Sequence, residues 1–563
     1  MAKKRDVKEW TLMFYIAGDN ELAPIVVSQL KAIKDAGFQE NTDVLVHFDP
    51  NELGVPTRIY NVNRKQKRYS KSPTRIGDGA DPFVHNMEED DVDPKEIKSA
   101  AIRQALINPD AINAEQALEN FLSFCRENHP AKRYMLVLLG HGMVVGSDAF
   151  LPDDNPVSAI TLKELGRILN SFCVDIKKEK GSLELLALHS CSLSAIEVAY
   201  ELKGTANYMI ASEGPSFVGS WPYRQLLKKI FKNLEDAKKR ARRNANREGT
   251  KQNPDINILK LVKDLYFLTL FAATDFMLAG YSLDLALCSL DKQKIDGVIV
   301  PIQKLVDMLI KGLKAASLND GSADNERGKR IKELVLLAHW EAQSYWGENY
   351  TDLFDFCRCL RERCGTKDDL EDLRTACSNV IEKLEAIVIH SENFGSKFQY
   401  SHGLSIYFPW SRPIEAVAKG SNNPGIGQIK YKDEEKGILE RYRDYAFTQD
   451  LGDKSWLDFL ETYFDKTKRQ SRLKEDGRPA EPRLGARVIA RRGFDPSGVL
   501  SSLPGGGGNG KPSGSVGAAC TCSSIKNYPE EITPEEIGPE VAMGETKRNV
   551  PFAITEGPLQ AYE

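Results

Sequence analysis

The sequence predicts an open α/β fold, a mostly parallel sheet covered by helices on both faces. Two observations carry this expectation. Short apolar runs recur along the first part of the chain without polar alternation, and amphipathic helical segments separate them. A strand buried on both faces has no solvent side to mark with polar residues, and two parallel strands need a crossover about as long as a helix.

The elements follow in order. The run WTLMFYIAG (10–18) reads as a first strand, LAPIVVSQLKAIKDAG (22–37) as a helix and TDVLVHFDP (42–50) as a second strand. The amphipathic AEQALENFLSFCREN (114–128) precedes RYMLVLLGHG (133–142), a third strand ending in Gly-His-Gly. TLKELGRILNSFCVDI (161–176) is a helix, LELLALHSC (183–191) a fourth strand, SAIEVAYELKG (194–204) a helix and ANYMIASEG (206–214) a further strand. From SLDLALC (282–288) to SIYFPW (405–410), amphipathic helices lead to a late strand, an α+β region expected to complete the sheet and border the cleft. No internal repeat is visible.

Composition bounds the function. A chain of 563 residues exceeds one compact core and divides into about two to four domains. A net charge of −4 gives no reason to expect nucleic acid as a partner. The basic start MAKKR is followed by an apolar run of about six residues, too short for a signal core or a membrane span. The reading is a cytoplasmic protein with no membrane partner. The ten cysteines (125, 173, 191, 288, 357, 359, 364, 377, 520 and 522) show no framework spacing, so disulfides are not expected. CRCLRERC (357–364) with Cys377 lacks zinc-knuckle spacing, and on a helix Cys357 and Cys359 point to nearly opposite faces. They read as buried thiols, and His47, inside the second strand, as a core or pocket-lining residue.

In open α/β sheets chemistry gathers beyond the carboxyl ends of the strands. Asp19 and Asn20 follow the first strand, His141 the third and Cys191 the fourth. Neighbouring strands lie about 4.8 Å apart, so His141 and Cys191 can face one cleft. A thiol before the helix SAIEVAYEL sits where the helix dipole favours thiolate, and an imidazole across the cleft can move the proton. Gly142 has no side chain to obstruct a substrate carbonyl, so its N–H and that of Cys191 can form an oxyanion hole. A buried Cys and a loop His in an ordinary Rossmann-like domain fit the spacing equally well.

Five blocks in register, YIAGDNEL (15–22), LVLLGHG (136–142), LALHSCSLSAIEVAYEL (186–202), MIASEG with GSWPY (209–223) and GLSIYFP (403–409), resemble the signature blocks of the clostripain-like cysteine peptidases. These are caspase-fold enzymes, and the resemblance covers about residues 10–465. It implies a caspase-like sheet, His141 as catalytic histidine, Cys191 as nucleophile and Gly142 as oxyanion donor. The implied reaction is peptide-bond hydrolysis through a thioester on a protein or peptide substrate. It needs no metal or organic cofactor, although calcium assists some relatives. A regulated role, in cell death or defence, follows only from the caspase-like resemblance.

One departure concerns specificity. Relatives that cut after arginine or lysine commonly read Asp-Ala-Cys at the nucleophile, whereas this chain reads His189-Ser190-Cys191. The loop SEGPSFVGSWPY offers one carboxylate, Glu213, beside Phe217, Trp221 and Tyr223. A buried cationic side chain needs a paired charge, so the expectation is a largely apolar or mixed pocket formed with His189. His402, which precedes the strand in SHGLSIYFP, reads as a residue leading into that strand rather than a catalyst.

The expected organisation is a catalytic core over 1–234, an exposed cationic loop over 235–255 open to self-cleavage, the rest of the core with the α+β region over 256–465, and a disordered Arg/Pro/Gly-rich tail over 466–563 that can recruit a regulatory partner. A cationic solvated helix is the alternative for 235–255. An active endopeptidase is favoured over a catalytically silent scaffold because both His141 and Cys191 are present. A thiol acyl transferase on the same fold is the third reading.

Overall fold

A computed structural model of the chain describes residues 7–20, 22–49, 58–62, 74–75, 83–85, 113–142, 150–154, 157–248, 257–272, 281–318, 320–345, 349–365, 368–395, 397–413 and 437–467. Its strands are β1 (Lys8–Ile16), β2 (Thr42–Phe48), β3 (Arg58–Asn61), β4 (Thr74–Arg75), β5 (Phe83–His85), β6 (Ala131–Leu139), β7 (Phe150–Asp154), β8 (Val157–Ile160), β9 (Ser182–His189), β10 (Tyr208–Ala211), β11 (Leu283–Ser289), β12 (Ser344–Tyr345), β13 (Tyr350–Asp352), β14 (Val388–Phe394) and β15 (Ser405–Tyr407).

Ten of these form one sheet in the order β14-β11-β10-β9-β6-β1-β2-β3-β5-β4. Its centre, β10-β9-β6-β1-β2, is parallel, and β11 and β14 add antiparallel strands at one edge. The expected mostly parallel sheet is therefore present. Its apolar runs are continuous because each strand faces two cores. From β1, Met13 and Tyr15 enter one core, while Trp10, Leu12, Phe14 and Ile16 enter the other.

The first core is closed by the helices Ala114–Asn128, Leu162–Lys178 and Ile196–Glu201, and by the α+β region. The second is closed by Ala23–Ala36, Tyr223–Glu248 and Ile258–Ala272. Local sequence sets these boundaries. Asn113 accepts the N–H of Gln116 at the start of the 114–128 helix, and Thr161 with Glu164 forms a capping box at the start of 162–178.

Two expectations are corrected. Residues 235–248 belong to one 26-residue helix, Tyr223–Glu248, rather than to a loop. Its apolar residues Leu227, Ile230, Leu234 and Ala237 recur at helical spacing into the second core, and that periodicity outweighs the high charge. The rest of the anticipated cationic loop, 249–255, lies outside the described residues. The region from SLDLALC to SIYFPW completes the main sheet, as expected, through β11 and β14, while β15 pairs with β13 in a separate three-stranded sheet. The helix after β9 begins only at Ile196. Cys191 stands too far from it to feel its dipole, which fades within the first turn.

The four cysteines 357, 359, 364 and 377 are buried in the packing of the helices Leu353–Cys364 and Glu371–Ile387. The last described helix ends at Thr467, so the tail lies outside the described residues. Among the described residues, no helix is long and apolar enough to cross a membrane.

Candidate active site

Strands β6 and β9 are parallel neighbours whose register pairs Leu139 with His189. Two residues further along each strand stand His141 and Cys191, level with each other at the carboxyl edge of the sheet. Both are fully buried, at 0% exposure, although the sequence suggested open strand-end positions.

Gly142 shows how closely the two strand ends approach. A Cβ built on it would lie 2.7 Å from the Cys191 backbone N and nearer still to the Cys191 carbonyl oxygen. Only a residue without a side chain allows this approach, and the need is steric rather than conformational. Ser192, the next residue after Cys191, has φ of 57°, the left-handed region that non-glycine residues rarely occupy. The chain turns sharply there and leaves Cys191 at the apex.

The nucleophile turn is held by the segment after β10. Ser192 N–H donates to the Gly214 carbonyl (3.1 Å), Ser194 N–H to the Ser212 carbonyl (2.9 Å) and Ser216 N–H to Cys191 Sγ (3.1 Å). A backbone donor aimed at sulfur favours its anionic form.

The residues expected to form the specificity pocket divide into two layers. His189 is fully buried; its Nε2–H donates to the Phe217 carbonyl (2.6 Å), its Nδ1 accepts from the Tyr223 hydroxyl (2.6 Å), and its ring stacks on Trp221 at 4.7 Å. Burial lowers its pKa to about 3, against the opposing pull of the Phe217 hydrogen bond, so the ring is neutral. With both nitrogens engaged, His189 and Tyr223 tie the loop to β9 from behind instead of facing substrate. Glu213 is likewise fully buried, its Oε2 accepting the Tyr345 hydroxyl and the Gly403 N–H.

Beside this loop lies a small cavity of about 20 Å³, whose walls include Ser212, Pro215, Ser216, Trp221, Asp284 and Phe394. Phe217 packs beside it on Tyr281, with ring centroids 4.9 Å apart. The carboxylate on the cavity wall is Asp284, which the sequence reading missed. Burial pushes its pKa up to about 7, partly offset by the N–H groups of Glu213 and Gly214. The available signal was a lone charge inside the apolar strand run SLDLALC.

Other candidates take structural positions. His47 is buried, stacked on Tyr15 at 4.3 Å, and burial lowers its pKa to about 3. The His402 ring stacks on Phe354 and the His402 backbone N–H donates to Asp352, which fixes the chain where it leads into β15. Asp19, Asp49 and Asp153 each direct a carboxylate oxygen to within 4.8 Å of the others at the ends of β1, β2 and β7. These hard oxygen donors suit a cation such as calcium.

The clostripain family model matches residues 14–463. Over 509 residues the chain is 21% identical to clostripain of Hathewaya histolytica, covering 83% of this chain and 89% of that protein. An inactive zymogen C11 protease from Parabacteroides distasonis is 16% identical with a TM-score of 0.43, over 80% of this chain and 99% of that one. A secreted C11 cysteine protease from Bacteroides thetaiotaomicron, solved with an irreversible peptide inhibitor, is 14% identical with a TM-score of 0.42, over 81% and 99%. Since the family match runs from β1 through both strand-end residues to the last described helix, the chain belongs to the clostripain family of cysteine peptidases.

Proposed function

We propose that this peptidase cleaves peptide bonds with Cys191 as nucleophile and His141 as general acid and base. The observation that carries the reading is the meeting of β6 and β9, where Gly142 lies against the Cys191 backbone and His141 stands level with the thiol. In the first step Cys191 thiolate adds to the substrate carbonyl, and the oxyanion takes hydrogen bonds from the Gly142 and Cys191 N–H groups. The C–N bond breaks as His141 gives its proton to the leaving amine, and a thioester remains. His141 then takes a proton from water, hydroxide adds to the thioester, and the C–S bond breaks to return the thiolate.

The residue before the scissile bond is assigned to the cavity beside Ser216, a mixed pocket of Trp221, Phe394 and Pro215 with Asp284 on its wall. An uncharged side chain gains roughly 25 cal/mol per Å² of apolar surface buried there. A cationic one requires Asp284 to ionise while its oxygens already hold two backbone N–H groups. A peptide series varied only at that position tests the pocket. Preference for Arg or Lys, lost in Asp284→Asn, would overturn it.

The steps above need no cofactor. The accessory calcium that the resemblance implies is assigned to Asp19, Asp49 and Asp153, and its test is whether calcium raises the melting temperature of wild type and not of Asp49→Asn. The cytoplasmic location, a regulatory partner bound by the tail and a role in cell death or defence belong to the same proposal and rest on the sequence reading. The experiment that tests the mechanism is peptide hydrolysis by reduced enzyme. Cys191→Ala and His141→Ala abolish it, and iodoacetamide labels Cys191 ahead of the other cysteines. Undiminished hydrolysis by Cys191→Ala would refute the assignment; loss of hydrolysis with acyl transfer to an amine retained would point to a transferase.

A further inference from the structure

Three carboxyl groups meet in the protein interior directly behind the loop that holds Cys191. Glu213 follows β10, Asp284 lies on β11 and Asp352 ends β13; all three are buried. Asp284 accepts the N–H of Glu213 through Oδ2 (2.6 Å) and the N–H of Gly214 through Oδ1 (2.9 Å). Glu213 Oε2 accepts the Gly403 N–H (2.8 Å) and the Tyr345 hydroxyl (3.1 Å). Asp352 accepts the N–H groups of Asp355 (2.7 Å) and His402.

These bonds converge on the two segments that flank the nucleophile. Gly214 receives the Ser192 N–H, Ser216 donates to Cys191 Sγ, and Gly403 receives the Ser194 hydroxyl at 2.6 Å. Glu213 Oε1 faces no conventional N–H or O–H donor among the described residues, and the consecutive amides of His402 and Gly403 donate to Asp352 and Glu213, which sets the two carboxyl groups beside each other. Two carboxyl groups held together out of water are accommodated when one of them keeps a proton and donates it to the other.

We propose that Glu213, Asp284 and Asp352 form a proton-holding clamp whose members are positioning residues: the proton shared between Glu213 and Asp352 keeps segments 212–216 and 401–405 against the nucleophile turn, and losing it releases them. The proposal rests on the reading of Cys191 as nucleophile for its effect on catalysis, and on geometry alone for its effect on the loop.

The surroundings favour retention of the proton. Facing the cluster are Tyr345 from β12, Cys288 on β11, Tyr266 from the helix Ile258–Ala272, and Asp355 from the helix Leu353–Cys364. The cations are His402, whose Nδ1 is 3.7 Å from Asp352, and Arg358, which is paired with Asp355 at 2.8 Å. None is bonded to Glu213. Burial first, then the charges of Asp352 and Asp284, hold the Glu213 carboxyl well above the ordinary carboxylate range. Rising pH therefore removes the proton last and breaks the clamp.

Glu213→Gln is the informative variant. Its amide oxygen can still accept from Gly403 and Tyr345, and its NH2 donates permanently to Asp352 where the proton had been. Two measurements separate the clamp from the catalytic reading. The first is hydrogen–deuterium exchange of amides 212–216 against pH, corrected for intrinsic rate, which needs no turnover. Protection falls on the alkaline side in wild type and stays flat in Glu213→Gln. The second is the pH profile of kcat/KM beside that of Cys191 alkylation. The alkaline limb of kcat/KM moves up by about one pH unit in Glu213→Gln, while the alkylation profile does not move. Asp352→Asn, which also supplies a fixed donor, gives the same result and serves if Glu213→Gln does not fold. Equal exchange profiles in wild type and variant, or a loss of kcat/KM that is uniform in pH, overturn the clamp. If Cys191→Ala proves active while the exchange result holds, the catalytic assignment fails and the clamp stands.

Discussion

Replacing Gly142 by alanine adds one methyl group where the two strand ends meet. That Cβ would lie 2.7 Å from Cys191 N, 2.8 Å from its carbonyl carbon and closer to its oxygen, whereas real Cβ contacts essentially never fall under 3.0 Å. The obstructing atoms are backbone and cannot rotate away. Either His141 or Cys191 must move, by on the order of 1 Å, and a misplacement of that size costs roughly 100-fold in rate. Overpacking of this kind costs about 1–3 kcal/mol of stability. The expected result for Gly142→Ala is thus a fall in kcat/KM of about 10²–10³, with the larger value applying if the Gly142 N–H is also lost to the oxyanion. Gly140→Ala is the control. Its Cβ meets the rotatable end of Leu151 at 2.7 Å and Ala17 Cβ at 3.0 Å, so a side chain can yield there. Steady-state kinetics on one peptide and a thermal melt of each variant check the reasoning. A Gly142→Ala enzyme with activity equal to that of Gly140→Ala would refute it.

Three further expectations follow from the geometry. His189→Ala leaves the buried Tyr223 hydroxyl without its acceptor, at about 1–3 kcal/mol, while the Phe217 carbonyl keeps the Ser220 donors; thermal melting reads the loss, and a melt equal to wild type would show that His189 does not tie the loop. Because burial lowers the folded pKa of both His47 and His189 from 6.5 to about 3, the unfolded chain binds the extra protons, and stability falls as pH drops from about 6.5 toward 3; urea denaturation across that range measures the slope, which should lessen in His189→Gln. Asp284 titrates with the opposite sign, its pKa raised from 3.8 to about 7, so its contribution is lost as pH rises through that window; Asp284→Asn should remove the dependence, and an unchanged slope would contradict the assignment.

Most of the central sheet was legible because burial on two faces leaves a plain mark. WTLMFYIAG, TDVLVHFDP, RYMLVLLGHG and LELLALHSC each appear as β1, β2, β6 and β9 with boundaries shifted by a few residues. The helix Ala114–Asn128 matches its expected segment to the residue, with Asn113 as its cap. Charge misled the reading at 235–248, where nine basic and acidic side chains obscured the apolar stripe of Leu227, Ile230, Leu234 and Ala237 that runs into this segment. The late SIYFPW strand was legible as a strand, but its pairing with β13 was not, because an apolar run shows burial and gives no information about its neighbour.

At the site, the legible residues are those whose chemistry is local to one strand end. His141 and Cys191 stand out because each interrupts an apolar run at a glycine or a turn. Asp284 and Asp352 carry no such mark; they lie 93 and 161 residues beyond Cys191, and only the antiparallel pairing of β10 with β11 and the placement of β13 beside β15 bring them behind the loop. The same distance explains why His189 looked like a pocket residue. Its neighbours in sequence are the nucleophile and the strand, whereas its bonding partners are Phe217 and Tyr223, 28 and 34 residues away. A neutral imidazole with both nitrogens committed cannot offer the charge that an aspartate would, so the substitution changes what holds the loop as well as what the pocket can bind. The buried layer that holds the loop also carries Asp284, which lines the proposed pocket, so a variant that alters loop stability should be assayed for specificity as well.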